Sequence, residues 1–216
     1  SHQITSGEGG MIVCKTKDDY ELIHTLRAHG WDRGLVKSKN DFNFVNSGFN
    51  VRPLDLTAVI GLAQLRRLNG MIKIRRENRN LLINKLKNSK NWDNQFNFFK
   101  PNKNLKPSWF GFPILINKPY LKNKKKFINF LNYSGIETRP IISGNFLNQP
   151  VSKLYKFNET RRKFRVSQEI EDRGLFIGLP TKKISSETGN PFLEVEILSF
   201  ANLKTINEVW VIQTNE

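Results

Sequence analysis

The spacing of apolar and polar residues predicts alternating strands and helices along the chain. The apolar run from Met11 to Lys15 predicts a short buried strand. Asp18 and Asp19 predict the start of a helix, because acidic residues favour a helix N-terminus, and Gly30 predicts its end. The polar stretch from Trp31 to Arg52 predicts a long loop, and loops of that length are usually functional or mobile.

The remaining chain continues the alternation. Apolar residues recur at helical intervals from Leu56 to Leu86, and Gly70 predicts a break or kink between two helices. Phe110 to Ile116 predicts a strand. Proline is tolerated at a helix start and glycine at a helix end, so a lysine-rich helix is predicted between Pro119 and Gly135. Ile136 to Ile142 predicts the next strand.

Composition is that of a globular chain. The 216 residues are 38% hydrophobic, which allows one large or two small domains with a core. No apolar run reaches the roughly 18 to 20 residues that span a bilayer, so we expect a cytoplasmic protein without a membrane partner. The single cysteine, Cys14, excludes an internal disulfide framework, and its apolar surroundings predict a buried, inert thiol.

The formal net charge is +16, which favours anionic ligands. The lysine run from Lys122 to Lys126 precedes Phe127, Phe130 and Leu131 at helical spacing, so it is interpreted as the solvated face of an amphipathic helix. The sequence contains no recognisable nucleic-acid-binding module, and nucleic acid is therefore not an expected partner. A nucleotide-linked diphosphate remains a natural anionic ligand.

The N-terminal segment carries the most specific candidate motif, Ser1-His2-Gln3-Ile4-Thr5 followed by Gly7-Glu8-Gly9-Gly10. It resembles the DegT/DnrJ/EryC1/StrS aminotransferase family of fold-type I pyridoxal-phosphate enzymes, in which a lysine precedes a similar glycine turn. His2 stands at the position of that lysine. Within the family, the exchange resembles the branch of 3-dehydratases that act on nucleotide-linked 4-keto-6-deoxy sugars.

A second motif is Gly48-Phe49-Asn50-Val51-Arg52, followed by Ala58-Val59-Ile60-Gly61. The resemblance implies that Asn50 binds the cofactor phosphate in the neighbouring subunit's site, and that Arg52 contacts substrate or phosphate. Amide and guanidinium donors both suit phosphate oxygens. On the residues alone, Gly48 and Asn50 could instead form a simple turn and Arg52 could be a surface cation.

A third motif is Thr138-Arg139-Pro140, followed by Gly144-Asn145 and Gln149-Pro150. This pattern resembles the 3-dehydratase branch and implies that Arg139 and Asn145 bind the sugar substrate or the co-substrate glutamate. A salt bridge between Arg139 and Glu137 is the alternative. A later segment, Gly174 to Pro180, also resembles the family and is expected to be structural, as is His29.

The resemblance implies an α/β fold: the C-terminal part of a fold-type I enzyme, with residues 1–70 ending the cofactor-binding large domain and residues 71–216 forming the small domain. Because the chain opens on Ser1 at the catalytic turn, we expect a fragment whose upstream half is missing. The resemblance also implies a homodimer with shared active sites. Ser1 would bind the cofactor phosphate.

A histidine cannot form the covalent link that a lysine amine makes with pyridoxal phosphate. The resemblance therefore implies a non-covalently held pyridoxamine phosphate, with His2 as general base, and dehydration at C3 of the sugar during deoxysugar and O-antigen biosynthesis. No cysteine follows Cys14, which favours the branch that uses glutamate over the branch with an iron-sulfur cluster. Two alternatives stay open: a sugar aminotransferase, and an inactive basic fragment or binding module.

Overall fold

The chain divides into two compact units, Ser1–Asn69 and Gly70–Glu216. The computed structural model describes residues 3–35, 42–155 and 163–184. In the first unit, helix α1 (Lys17–Leu26) begins at Thr16, whose hydroxyl accepts a hydrogen bond from the backbone N–H of Asp19 at 3.1 Å. This cap and the acidic first turn agree with the predicted helix start.

Helix α2 (Asp55–Lys87) is continuous, so the predicted break at Gly70 is wrong. A glycine inside a helix costs only about 1 kcal/mol relative to alanine, and the residues on both sides are mostly good helix formers. Among the described residues, no helix is both long and apolar enough to cross a membrane.

A four-stranded antiparallel sheet with strand order β1-β2-β4-β3 forms the second unit. Its strands, in chain order, are β1 (Phe96–Phe98), β2 (Gly111–Ile116), β3 (Thr138–Arg139) and β4 (Gly174–Gly178). Helix α3 (Lys124–Tyr133) follows a 3-10 helix at Lys118–Asn123, and α4 (Arg165–Arg173) leads directly into β4.

The hydrophobic core of the described residues lies in this second unit. Phe112, Ile114 and Ile116 alternate along β2 and therefore face the same side of the sheet. They are buried in one cluster with Leu82 and Leu86 of α2 and with apolar residues of the other strands and α3. The strand predicted at Phe110 to Ile116 is thus confirmed, and it begins one residue later, at Gly111.

The lysine-rich helix is confirmed, with one exception to its solvated face. Lys122, Lys125 and Lys126 are exposed, while Phe127 and Leu131 are buried. Lys124 is half-buried, and its Nζ donates hydrogen bonds to the backbone carbonyls of Glu171 (3.2 Å) and Asp172 (2.7 Å) at the end of α4. Burial lowers the pKa of Lys124, and the nearby carboxylates of Asp172 and Glu171 partly oppose that shift.

Two strand predictions are wrong. The segment Met11 to Lys15 forms no strand and is exposed, with Met11 89% accessible, because no other described segment pairs with it. Cys14 is accordingly half-buried and not buried. The strand predicted at Ile136–Ile142 shrinks to β3, because Pro140 has no N–H for the ladder and Ile142 has a positive φ of 50°.

Asn78 of α2 connects this helix to the segment after β4. Its Nδ2 donates to the carbonyl oxygens of Pro180 (3.1 Å) and Lys182 (2.8 Å), and its Oδ1 accepts from the N–H of Ile184 (3.0 Å). The side chain is only 1% exposed. A buried amide with three backbone partners acts as a fixed joint between the two segments.

We expect Gly70→Ala to stabilise the protein by about 0.5–1 kcal/mol, because alanine loses less conformational freedom in a helix and nothing lies within 4 Å of the added Cβ. Urea unfolding measures the change. Destabilisation would mean that Gly70 interrupts the helix after all.

We expect Asn78→Ala to destabilise the protein by about 1–3 kcal/mol, since a buried amide and its three hydrogen bonds to partly buried backbone groups are lost. The exposed Asn84 on the same helix provides the matched control, and Asn84→Ala should change the free energy of unfolding by less than about 0.5 kcal/mol. Equal effects of the two substitutions in thermal or urea unfolding would contradict this role.

Candidate functional site

His2 and Ser1, the predicted catalytic base and phosphate contact, lie outside the described residues. The glycine turn after them begins at Gly7, whose φ of 81° is a left-handed conformation that glycine adopts without strain. A Cβ at Gly7 would touch the methyl group of Thr57 at 3.8 Å, which places the turn beside the start of α2 within the first unit.

Asn50 sits on a turn built from two glycine backbones in contact. A Cβ at Gly48 would lie 2.3 Å from the N atom of Gly30, and one at Gly30 would lie 1.6 Å from the carbonyl oxygen of Asn46. No side chain fits at either position. The second motif therefore requires Gly48 because the chain passes directly against the end of α1.

Backbone hydrogen bonds hold the same turn against the residues that follow α1. The N–H of His29 donates to the carbonyl of Phe49 at 2.9 Å, and the N–H of Val51 donates to the carbonyl of Arg27 at 3.0 Å. Ala28 and Asn50 form an isolated antiparallel bridge. Asn50 is therefore fixed by its backbone, which leaves its side chain available.

The side chains of Asn50 and Arg52 are exposed and make no hydrogen bond or ion pair with another described residue. An amide and a guanidinium two residues apart present several N–H donors without an internal acceptor. Such donors bind phosphate oxygens, and guanidinium does so in a bidentate manner. The turn thus has the chemistry of an anion contact, and the roles of both residues stay predictions.

The fixed position of this turn also depends on residues that the motif analysis missed. Thr25, 2% exposed at the end of α1, accepts a hydrogen bond from Nδ2 of Asn46 at 2.8 Å and donates to the carbonyl of Leu22 at 2.8 Å. Nearby, Asp32 accepts from Nδ2 of Asn43 at 2.8 Å. These polar pairs hold Asn43 and Asn46 against the residues at and after the end of α1, and no sequence signal marks them because the partners lie 11 and 21 residues apart.

Two histidines lie near the turn. His29 has a positive φ of 63°, which makes it part of the backbone turn itself. His24 packs beside Tyr20 with ring centroids 5.7 Å apart. Within the part of the chain that the structure describes, no group of three or more His, Cys, Asp or Glu side chains could hold a metal ion.

Asn145, in the second unit, is 2% exposed and hydrogen-bonded inside the fold. Its backbone N–H donates to Oε2 of Glu171 at 2.8 Å, and its Nδ2 donates to Oε1 of Gln168 at 3.2 Å. Its Oδ1 accepts from the N–H of Leu147 at 3.2 Å and caps the short 3-10 helix Phe146–Asn148. The side chain positions its own loop in this structure.

Glu171 and Gln168 on α4 were not recognised from sequence. Asn148 adds two more bonds to them, from its Nδ2 to Oε1 of Gln168 (2.9 Å) and to Oε2 of Glu171 (2.8 Å). A Cβ at Gly144 would lie 2.5 Å from Cβ of Glu171, so this loop also needs a glycine for close approach. The sequence did offer one signal for this pair: Gln168 and Glu171 are three residues apart and therefore lie on the same face of a helix.

Arg139 makes the ion pair that was its alternative interpretation. Its Nε and Nη2 donate to Oε1 of Glu137 at 2.9 and 2.7 Å, and both side chains are exposed. An exposed pair of this kind contributes about 0–1 kcal/mol, so the guanidinium can exchange partners at small cost. The predicted site residues that the structure describes thus fall into two groups, Asn50 with Arg52 in the first unit and Arg139 with Asn145 in the second.

The sequence pattern of the DegT/DnrJ/EryC1/StrS aminotransferase family matches residues 1–188. Over 191 residues, the chain is 36% identical to GDP-4-keto-6-deoxy-D-mannose 3-dehydratase of Escherichia coli O55:H7. Over 205 residues, it is 30% identical to the protein of the same name from Yersinia pseudotuberculosis. These matches cover 82% and 89% of this chain and 47% and 50% of the relatives, so the chain spans about half of their length.

The fold is similar to that of a solved GDP-4-keto-6-deoxymannose-3-dehydratase with a trapped PLP-glutamate geminal diamine. The TM-score is 0.69 at 30% sequence identity, and the match covers 88% of this chain and 49% of that chain. The α/β fold class predicted from the motifs is therefore confirmed.

We expect Gly48→Ala to destabilise the protein by about 1–3 kcal/mol, because the new methyl group overlaps the backbone of Gly30. Gly9 is the matched control, since a Cβ there meets nothing within 4 Å, and Gly9→Ala should have an effect below about 0.5 kcal/mol. Urea unfolding of both variants tests the contact, and a harmless Gly48→Ala would contradict it.

Proposed function

The chain belongs to the DegT/DnrJ/EryC1/StrS aminotransferase family, and on that premise we propose that it is part of a pyridoxal-phosphate-dependent sugar 3-dehydratase. The substrate would be a nucleotide-linked 4-keto-6-deoxyhexose, in deoxysugar and O-antigen biosynthesis. The observation that carries the proposal is the 36% identity, over 82% of this chain, to a protein named as such a dehydratase.

The turn between α1 and α2 offers hydrogen-bond donors that suit a cofactor phosphate. Asn50 and Arg52 are exposed, lack an internal acceptor and stand on a backbone that the contact between Gly30 and Gly48 holds in place. We propose that Asn50 binds the cofactor phosphate in the site of a neighbouring subunit, in a homodimer with shared sites. Arg52 would contact substrate or phosphate, and the hydroxyl of Ser1 would add a further hydrogen bond.

When bound, pyridoxamine phosphate supplies an amino group that condenses with the sugar ketone and a ring that accepts electrons. His2 would take a proton from the cofactor's C4′ carbon, and the hydroxyl at C3 of the sugar would leave. A histidine is suited to this task because its unperturbed pKa of about 6.5 lies close to physiological pH. Since an imidazole cannot replace the lysine amine covalently, the cofactor would be held by non-covalent contacts alone.

Glutamate is the proposed co-substrate that restores the amino form of the cofactor, as a solved relative carries a PLP-glutamate adduct. Arg139 is a suitable carboxylate or phosphate contact, because its present partner Glu137 is exposed and readily exchanged. Asn145 would reach a ligand only by giving up its bond to Gln168. We therefore propose that its contribution comes with a rearrangement of the loop that follows Gly144.

Mass spectrometry of the reaction products tests the function. The purified protein is incubated with pyridoxal phosphate, glutamate and a 4-keto-6-deoxy nucleotide sugar. Loss of one oxygen with the keto group retained is expected for dehydration. Replacement of the oxo group by an amino group would instead mean a sugar aminotransferase, and no turnover together with no cofactor binding would favour the non-enzymatic alternative.

The variant His2→Asn tests the role of the histidine. Positioned general-base catalysis is worth about 10² to 10⁴ in rate, so turnover should fall by that factor while cofactor binding persists. The absorbance of bound cofactor serves as the control for an intact site. An unchanged rate would exclude His2 as the base.

A further inference from the structure

A cleft in the second unit carries charge that no described carboxylate neutralises. Its volume is ≈ 310 Å³, and it lies between the C-terminal end of α2 and the edge strand β1. Three cations line it, Arg79, Lys87 and Lys100, together with aromatic and asparagine side chains, and no aspartate or glutamate does. None of the site residues proposed above belongs to it.

Arg79 is the unusual member of this group, because its side chain is buried and incompletely satisfied. The residue is only 7% exposed, and its Nε is buried without a hydrogen-bond partner. Its Nη2 donates to the carbonyl of Phe99, and its guanidinium carbon lies 4.0 Å from the centroid of the Trp109 ring. These contacts hold the guanidinium in place but bring no negative charge to it.

A buried cation is costly unless an anion or several acceptors compensate for it. Burial lowers the pKa of Arg79, which is the direction expected for a cation without a carboxylate partner. Lys87 and Lys100 are exposed, form no ion pair with a described residue and add two positive charges to the same cleft. The three cations therefore favour an anionic ligand with more than one charge.

Aromatic side chains also line the cleft, and a simple inorganic anion as the ligand would make no use of them. Trp92 and Phe99 are half-buried, so part of each ring remains accessible, and Trp92 stacks on Phe98 with centroids 5.9 Å apart. Asn97 is exposed beside them with an amide that can donate and accept. Ring faces, an amide and cations together match a planar base joined to phosphate.

We propose that this cleft binds a nucleoside phosphate, with the phosphate near Arg79, Lys87 and Lys100 and the base against Trp92 or Phe99. Its volume lies at the lower end of ligand pockets, which run from about 300 to 1,000 Å³ and suit small molecules of this size. An extended peptide is a poorer match, because β1 offers an edge of only three residues.

Titration of the purified chain with GDP, followed by tryptophan fluorescence, tests the site. Binding in the cleft should quench the fluorescence of Trp92, and this part of the quenching should be absent in the variant Trp92→Phe. Lys87→Ala with Lys100→Ala should weaken this binding about tenfold or more, since two charge-assisted contacts are lost. The matched control is Lys90→Ala with Lys103→Ala, which removes two exposed lysines outside the cleft and should leave the affinity unchanged. Circular dichroism confirms that each variant is folded.

Guanosine and inorganic phosphate are titrated separately, and each should bind at least about tenfold more weakly than GDP, because each supplies only part of the contacts. Equal weakening by both lysine pairs would mean general attraction to a chain of charge +16 and would overturn the site. Equal affinity for phosphate and GDP, or no Trp92-dependent quenching, would overturn it as well. The variant with Lys87→Ala and Lys100→Ala keeps His2 and Asn50, so its dehydratase turnover should be unchanged. A wrong cleft proposal can therefore be told apart from a wrong proposal for the reaction.

Discussion

Polar side chains of α2 that bind backbone groups elsewhere hold the second unit together. Asn78 fixes the segment after β4 with three hydrogen bonds, while Arg76 and Arg79 donate to carbonyl groups on both sides of the loop between β1 and β2. Leu82 and Leu86, about one and two turns after Arg79 on the same helix, pack into the hydrophobic core against the sheet. The loop between β1 and β2 and the segment after β4 are thus held by hydrogen bonds to one helix, which pairs backbone groups that no strand or helix of their own would pair.

Elements with a strong local pattern were predictable, and elements that depend on distant partners were not. Helix α1 follows from its acidic first turn and the glycine after it, α3 from the proline and glycine that flank it, and β2 from its apolar run. Strand β1 has only three residues and exists because Phe96 and Phe98 pack on a core assembled from other segments. The run at Met11 has strand-like composition, but composition cannot provide a neighbouring strand.

For the candidate site, the motifs located Asn50 and Arg52 but gave no account of why the glycines precede them. The structure supplies that account as a contact between two backbones. Asn145 shows the opposite case, since the motif marked it as a ligand contact while its amide in this structure bonds to its own loop and to α4. Sequence similarity identifies positions, whereas burial and hydrogen bonding decide which atoms are left for a ligand.

The contact between Gly30 and Gly48 closes a loop whose two ends meet at one point. Residues 31–47 therefore leave and return to the same place beside the end of α1. The length of the chain between Asp32 and Asn43 is therefore uncoupled from the position of Asn50, because the contact between Gly30 and Gly48 and the bond from Asn46 to Thr25 hold the turn from outside that stretch. Insertions and deletions in that stretch are thus a route by which such a protein can change its surface without displacing Asn50.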